Sequence, residues 1–176
     1  MEHLLLFLLQ SVIAPASASL ATEQKMVEQK IIKEEDAREI VWLARILYSE
    51  TKDDREMNDI AWVVRNRVET QFRGTSYEEV ATSRNQFSGL NSYDKNYEHN
   101  ISRTYESGGI AWKHALAVAA EVFYATEDER PFPVTVRHFY SPVAINAPHW
   151  AHTGNRVSEM SDVRGNVRFA FYSGVK

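Results

Sequence analysis

The sequence predicts an α+β fold in which a helical core precedes a small antiparallel β-sheet. Between residues 37 and 124, apolar side chains recur every three or four positions in separate segments, which is the pattern of amphipathic helices. After Pro131-Phe-Pro133 the period changes to two: residues 134–140 alternate, and residues 166–172 alternate in the same way. We therefore predict that these two segments pair, within a single domain of ordinary size.

The first 18 residues are typical of a secretory signal peptide. Leu4–Leu9 opens an apolar run that is too short to span a bilayer, and Ala16-Ser-Ala18 has the small-x-small form of a signal-peptidase site. Met1-Glu-His3 lacks the usual basic residue, so an uncleaved anchor or a buried helix is the alternative. The predicted organisation is a signal peptide at 1–18, a polar linker at 19–35 and a globular domain at 36–176.

The first predicted helix runs from Ala37 to Thr51, with Asp36 as its N-cap, and it brings Glu50 to its far end. Glu50 follows Leu47 by three residues and Ile46 by four, so its carboxyl group lies on or beside the apolar stripe. Desolvation at such a position raises the pKa of a carboxyl group, as a general acid needs near neutral pH. The alternative is a solvated glutamate at a frayed helix end.

Three further helices are predicted after Glu50. The second runs from about Arg55 to Gln71, starts at a capping box of Asp53 and Glu56, and forms a hairpin with the first. A short helix at 77–82 is capped by Ser76, and residues 84–108 form an irregular loop suited to lining a site. The last helix spans 110–124, where we expect His114 to be a packed or rim residue.

Several kinds of chemistry are excluded or disfavoured by composition and spacing. The chain has no cysteine, which excludes disulfides, iron–sulfur clusters, thiolate zinc sites and a cysteine nucleophile. No His-Glu-x-x-His motif, phosphate loop or Gly-x-Ser-x-Gly elbow occurs. His149 and His152 are three apart, but a metal would need a third ligand such as His138. We therefore predict neither a metal site nor a cofactor.

The charge is unevenly distributed along the chain. The formal net charge is −4, yet residues 131–176 hold five basic and two acidic residues together with three histidines and many aromatic residues. Such a mixture suits contact with an anionic or carbohydrate-like polymer, and the alternative is a solvated rim on the β-rich part. We expect no nucleic-acid partner.

Ordered blocks along the domain resemble the SleB-type (spore-cortex-lytic) cell wall hydrolases. The blocks are Ala44-Arg-Ile-Leu-Tyr-Ser-Glu-Thr51, Met57-Asn-Asp-Ile-Ala-Trp-Val-Val-Arg-Asn-Arg-Val68, Gln86-Phe-Ser88, Arg137-His-Phe-Tyr-Ser-Pro142, Pro148-His-Trp-Ala151 and the segment 165–172. The resemblance implies a lysozyme-like helical core and a monomeric enzyme that acts on peptidoglycan. It also implies a secreted protein that works at the cell wall, in the periplasm or outside the cell, and that is not stably inserted in a membrane after processing. Two departures stand out: Ser49 replaces the glycine usual before the glutamate, and Val167 replaces a histidine of the closing block.

The same resemblance assigns the catalytic role to Glu50 and makes 36–176 a catalytic domain. It implies cleavage of the β-1,4 bond between N-acetylmuramic acid and N-acetylglucosamine, as a lytic transglycosylase with one catalytic glutamate that yields 1,6-anhydro products. The alternatives are a lysozyme-type hydrolase that also uses a nearby aspartate, and a catalytically silent peptidoglycan-binding module. The residues expected to contact substrate are Tyr48, Asn66, Gln86, Ser88, His138, Tyr140 and Trp150.

Overall fold

The computed structural model describes residues 34–175 and confirms the predicted α+β class. Within that part, helices occupy the N-terminal two thirds and a small antiparallel sheet closes the C-terminal end. The predicted signal peptide and all but the last two residues of the predicted linker lie outside the described residues. No helix in the described part is long and apolar enough to cross a membrane.

The longer helices follow the predicted apolar periodicity closely. Their bounds are Glu34–Glu50 (α1), Asp54–Glu69 (α2), Tyr77–Thr82 (α3), Tyr97–Ile101 (α4) and Ile110–Tyr124 (α5). The prediction that Asp36 caps α1 is wrong, because Asp36 is itself part of the helix. Glu34 and Glu35 precede it in the same helix.

Three residues connect α1 to α2, and they turn the chain sharply after Glu50. The Asp53 carboxylate caps α2 by accepting hydrogen bonds from the backbone N–H groups of Arg55 (3.0 Å) and Glu56 (3.3 Å). A capping box also requires the Glu56 side chain to accept a hydrogen bond from the Asp53 backbone N–H. That part of the prediction is wrong, because the Glu56 side chain accepts its hydrogen bonds from Thr51 and Arg168. This connection therefore ends α1 at Glu50 and directs the Glu56 side chain toward the sheet.

The core forms where α5 packs across both α1 and α2. Trp112 of α5 is fully buried, and its Nε1 donates to the Thr104 carbonyl oxygen at 2.9 Å, so its one polar group is satisfied. Each fully buried large apolar side chain contributes about 1.5–3 kcal/mol to folding. The largest of them in α1 and α2 are Ile40, Leu43, Ile46, Leu47, Met57, Ile60, Val63 and Val64.

The sheet has three antiparallel strands in the order β1–β3–β2. Their bounds are His138–Tyr140 (β1), Asn155–Ser161 (β2) and Val167–Ser173 (β3), with Phe139 paired to Phe171. The predicted pairing of the two alternating segments is therefore confirmed, although β1 is shorter than predicted because residues 134–135 form a turn. The sequence did not predict β2, because this strand is mostly exposed and carries no apolar alternation.

The segment 84–108, predicted to be irregular, contains two short helical pieces. One is a single 3₁₀ turn at Ser88–Leu90, and the other is α4. Asn100 of α4 is buried, and its side-chain amide donates to the Gly89 carbonyl oxygen at 2.9 Å, which ties the two pieces together. The loop is thereby held firmly against the end of α1.

Candidate active site

A groove runs between the helices and the sheet, and Glu50 lies where two of its three sections meet. The α2 section has a volume of about 550 Å³, the central section about 340 Å³, and the arginine section about 280 Å³. Glu50 lines the first two sections, whereas Arg67, Gln86 and Tyr140 line the last two. The central and arginine sections share a wall, and the α2 section adjoins the central section at Glu50.

Glu50 is the last residue of α1, and the packing of that helix explains its protonation. Ile46 and Leu47, one turn before it, are completely buried, and the Glu50 side chain is itself half-buried. Burial raises the pKa of Glu50 to about 7, and the nearby positive charge of Arg67 opposes this shift. At neutral pH the group therefore exists as both carboxylic acid and carboxylate, so it can donate a proton and accept one.

A second carboxylate, that of Glu56, also lines the α2 section. Glu56 is only 7% exposed; it accepts a hydrogen bond from the Thr51 hydroxyl group and another from Arg168 Nε at 3.2 Å. These contacts connect the turn after Glu50 to β3. The Glu56 carboxylate is thus held in an ion pair that crosses from the helices to the sheet.

Five of the residues expected to contact substrate lie along the groove. Gln86, Ser88 and Tyr140 line the central section, while His138 and Trp150 line the arginine section. Trp150 meets Tyr140 edge-on, with ring centroids 5.8 Å apart, and its ring lies 5.2 Å from that of His138. Aromatic faces beside hydrogen-bonding groups are well suited to binding sugar rings.

The structure places the other two expected substrate residues away from the groove. The Tyr48 hydroxyl group accepts a hydrogen bond from Arg103 Nη2 at 3.2 Å, and its ring packs edge-on against Trp112. Asn66 is completely buried: its amide donates to the carbonyl oxygens of Pro133 (3.3 Å) and Val136 (2.9 Å). Asn66 Oδ1 also accepts from Arg130. Both side chains therefore have structural partners in place of an opening toward a ligand.

Arg67 is the groove residue that sequence reasoning missed. It is only 4% exposed, yet it lines the central and arginine sections. Burial lowers the pKa of Arg67 to about 10, and the positive charges of Arg73 and Arg137 act in the same direction. The sequence does contain a pattern that could have identified Arg67. This residue follows Ile60 by seven positions and Val64 by three, so a charged side chain lies on the apolar stripe of α2.

The histidines lie in three different settings. His138 is buried, and burial together with Arg67, Arg73 and Arg137 lowers its pKa to about 4, so this side chain is neutral at physiological pH. His149 and His152 are exposed on one 3₁₀ turn. The exposed His114 is 3.2 Å from an Asp54 carboxylate oxygen, beside a cleft separate from the groove. In residues 34–175, no three His, Asp or Glu side chains are grouped as metal ligands.

Comparison of this chain with protein-family models, with curated proteins and with solved structures finds no match. Arguments about function therefore depend on the sequence blocks described above and on the geometry of the groove.

Proposed function

We propose that the protein is a peptidoglycan-cleaving enzyme that uses Glu50 as its catalytic acid and base. The proposed target is the β-1,4 bond between N-acetylmuramic acid and N-acetylglucosamine, and the proposed reaction is that of a lytic transglycosylase. The observation that supports it most is the position of Glu50, whose pKa is near 7, at the junction of two groove sections. The resemblance of the ordered sequence blocks to SleB-type cell wall hydrolases supports the same assignment.

In the proposed reaction, protonated Glu50 donates its proton to the glycosidic oxygen as the bond from that oxygen to C1 of the muramic acid breaks. The Glu50 carboxylate then accepts the proton of the C6 hydroxyl group of the same sugar. The C6 oxygen bonds to C1 and closes a 1,6-anhydro ring, so no water is consumed and Glu50 returns to its starting form. One carboxyl group with a pKa near neutrality is sufficient for both proton transfers.

The central and arginine sections offer binding partners for the sugars on one side of Glu50. Trp150 and Tyr140 provide aromatic surfaces, and Gln86 and Ser88 provide hydrogen-bonding groups. Glycan strands of the cell wall are long polymers, and a groove whose sections adjoin at Glu50 suits them. We propose that the protein acts as a secreted monomer.

A lysozyme-type hydrolase is the second candidate, because Glu56 places another carboxylate in the α2 section beside Glu50. Of the two aspartates considered from the sequence, Asp53 is committed to capping α2, and Asp54 lies beside His114 at the separate cleft. Asp162, the remaining carboxylate of the α2 section, accepts hydrogen bonds from the backbone N–H groups of Arg164 and Asn166 in the turn between β2 and β3. Two-carboxylate hydrolysis would therefore use Glu56 and would add water at C1.

Mass spectrometry of digested peptidoglycan distinguishes these reactions. We expect wild-type protein to release muropeptides that end in a 1,6-anhydro sugar and expect Glu50→Gln to release almost none. Products with free reducing ends would support the hydrolase. Binding to insoluble cell wall without any released fragment would support a silent binding module and refute both enzymatic assignments.

A further inference from the structure

Three arginines cluster at the arginine section of the groove, and no carboxylate lines that section. Arg67 and Arg73 line this section, and Arg137 lies close enough to shift the pKa values of Arg67 and His138. No salt bridge in residues 34–175 joins any of these three arginines to an acidic residue, and no Asp or Glu lines the section. The α2 section differs, because it contains acidic and basic residues together.

The buried member of this group, Arg67, is held by neutral partners. Its Nε donates to the Arg137 carbonyl oxygen at 2.7 Å, and its Nη1 lies 3.5 Å from Gln86 Oε1. The guanidinium also lies over the rings of Phe87 and Phe139, at 5.4 and 5.9 Å from their centroids. Glu50, in the adjoining central section, is a carboxyl group whose charge acts on Arg67. With Arg73 and Arg137 nearby, the cluster carries more positive charge than that one carboxyl group balances, which favours an anionic ligand in the open groove.

The other two arginines are held by Phe72. The guanidinium of Arg137 lies 4.5 Å from the centre of that ring, and the guanidinium of Arg73 lies 5.1 Å from it. Arg137 Nε is buried and has no hydrogen-bond partner among the described residues. Arg73 is exposed and has a φ of +70°, a backbone conformation that is unfavourable for a residue with a side chain. These contacts concentrate donors at one end of the groove.

We propose that the arginine section binds a carboxylate of the substrate and so directs the enzyme toward acidic glycans. Guanidinium groups bind carboxylates through paired, charge-assisted hydrogen bonds. The identity of the sugar depends on the proposed function. In peptidoglycan such a carboxylate belongs either to the lactyl group of a peptide-free muramic acid or to its stem peptide.

The position of Arg67 in the groove supports this choice of ligand. Arg67 lines both the central section with Glu50 and the arginine section, so the cationic end is next to the catalytic carboxyl group. Trp150 also lines the arginine section and can cover the ring of the sugar that bears the carboxylate. A neutral saccharide would fill the same space and leave the guanidinium groups without a counter-charge.

Binding to three saccharides of equal sugar number tests the proposal, with the inactive Glu50→Gln chain as the host so that ligands stay intact. The probes are chitotetraose, a peptide-free tetrasaccharide of alternating N-acetylglucosamine and N-acetylmuramic acid, and the same tetrasaccharide with stem peptides. Affinity is measured by calorimetry at low and high salt. We expect an acidic tetrasaccharide to bind at least about tenfold more tightly than chitotetraose at low salt, with the preference shrinking as salt increases.

Arg73→Gln and Arg137→Gln, each added to Glu50→Gln, should remove most of that preference and leave chitotetraose binding nearly as it was. Lys113→Gln is the matched control: it removes one positive charge from an exposed position on α5 that lies outside the groove. Preference for the peptide-free tetrasaccharide would assign the lactyl carboxylate, and preference for the peptide-bearing one alone would assign the stem peptide.

The proposal is overturned if all three saccharides bind equally, if none binds, or if both arginine variants keep the preference. Its failure is distinguishable from failure of the proposed function, because binding is measured without turnover. Wild-type protein that releases anhydro muropeptides but shows no preference for acidic ligands would refute this inference alone. Preference for acidic ligands without any cleavage by wild-type protein would refute the enzymatic assignment alone.

Discussion

Glu50 and Arg67 line the same section of the groove, and each changes the protonation of the other. Burial raises the pKa of Glu50 to about 7, while Arg67 opposes that increase. Burial lowers the pKa of Arg67 to about 10, while Glu50 opposes that decrease. The guanidinium group therefore remains charged at neutral pH and stabilises the carboxylate that Glu50 becomes after it donates a proton.

The first prediction is that Glu50→Gln lowers kcat on peptidoglycan by at least about 100-fold. Glutamine keeps the size and hydrogen bonding of glutamate but cannot transfer a proton, and general acid catalysis contributes about 10²–10⁴-fold. Release of soluble muropeptides measures the rate. Asp54→Asn is the control, because Asp54 lies at the separate cleft and should keep most activity. Equal loss in both variants would contradict the assignment.

The second prediction concerns the pH dependence of the reaction. The acid must be protonated to act, so kcat/KM should fall about tenfold per pH unit above pH 7. Arg67 lowers the pKa of Glu50, so Arg67→Met should move this decline to higher pH, provided that circular dichroism shows a native fold. A decline that stays at the same pH in this variant would show that Glu50 is not the group being titrated.

The third prediction is that Glu50→Gln stabilises the fold only above acidic pH. The pKa of Glu50 is near 4.5 in the unfolded chain and about 7 in the folded one, so the folded chain holds an extra proton between these values. The free energy of unfolding of the wild type therefore falls as pH rises through this range, whereas glutamine does not titrate. The variant should gain on the order of 1–3 kcal/mol at pH 8 and nothing at pH 4. Urea unfolding at both pH values measures the difference, and an equal gain at both would refute it.

The fourth prediction separates the two reaction types through Glu56. Glu56→Gln weakens the contact with Arg168, which should cost about 1 kcal/mol of stability because the arginine is partly solvated. Under the transglycosylase mechanism its activity should stay within about tenfold of wild type, since Glu50 alone moves the proton. Activity as low as that of Glu50→Gln in a folded Glu56→Gln protein would establish two-carboxylate hydrolysis instead.

The fifth prediction concerns Asn66, which the resemblance placed among the substrate residues. Asn66→Ala removes its hydrogen bonds to Pro133, Val136 and Arg130 inside the protein. Loss of these contacts and of buried volume should lower the free energy of unfolding by about 2–4 kcal/mol. At a temperature where the variant is folded, its KM should remain close to that of the wild type. A raised KM with unchanged stability would favour direct contact with substrate.

The sequence predicted those elements in which the spacing of apolar residues matches the face that the structure buries. α1, α2 and α5 each bury one apolar face, so their periodicity was sufficient to locate them. The exposed strand β2 was missed because its pairing with β3 depends on backbone hydrogen bonds, while most of its side chains face solvent. Its side chains carry little information about that partner.

The candidate site shows the same division between local and non-local information. Glu50 was found because its own helix determines its setting, with Ile46 and Leu47 one turn away. The concentration of charge around Phe72 could not be found, because Arg73 and Arg137 are far apart in sequence and only folding brings both onto one ring. The burial of Asn66 could not be predicted for the same reason: its partners Pro133 and Val136 are distant in sequence.

The contact between Glu56 and Arg168 joins residues that are 112 positions apart in the chain. The groove can therefore be completed only late in the synthesis of the protein. β3 supplies Phe169 to the central section and Arg168 to the α2 section, so a ribosome must have made most of β3 before the groove around Glu50 is complete. The helices can fold earlier, since their contacts are largely among themselves. An unfinished chain would therefore carry Glu50 without a complete groove around it, and under the proposed function it could not cleave a glycan until the C-terminal strand had folded.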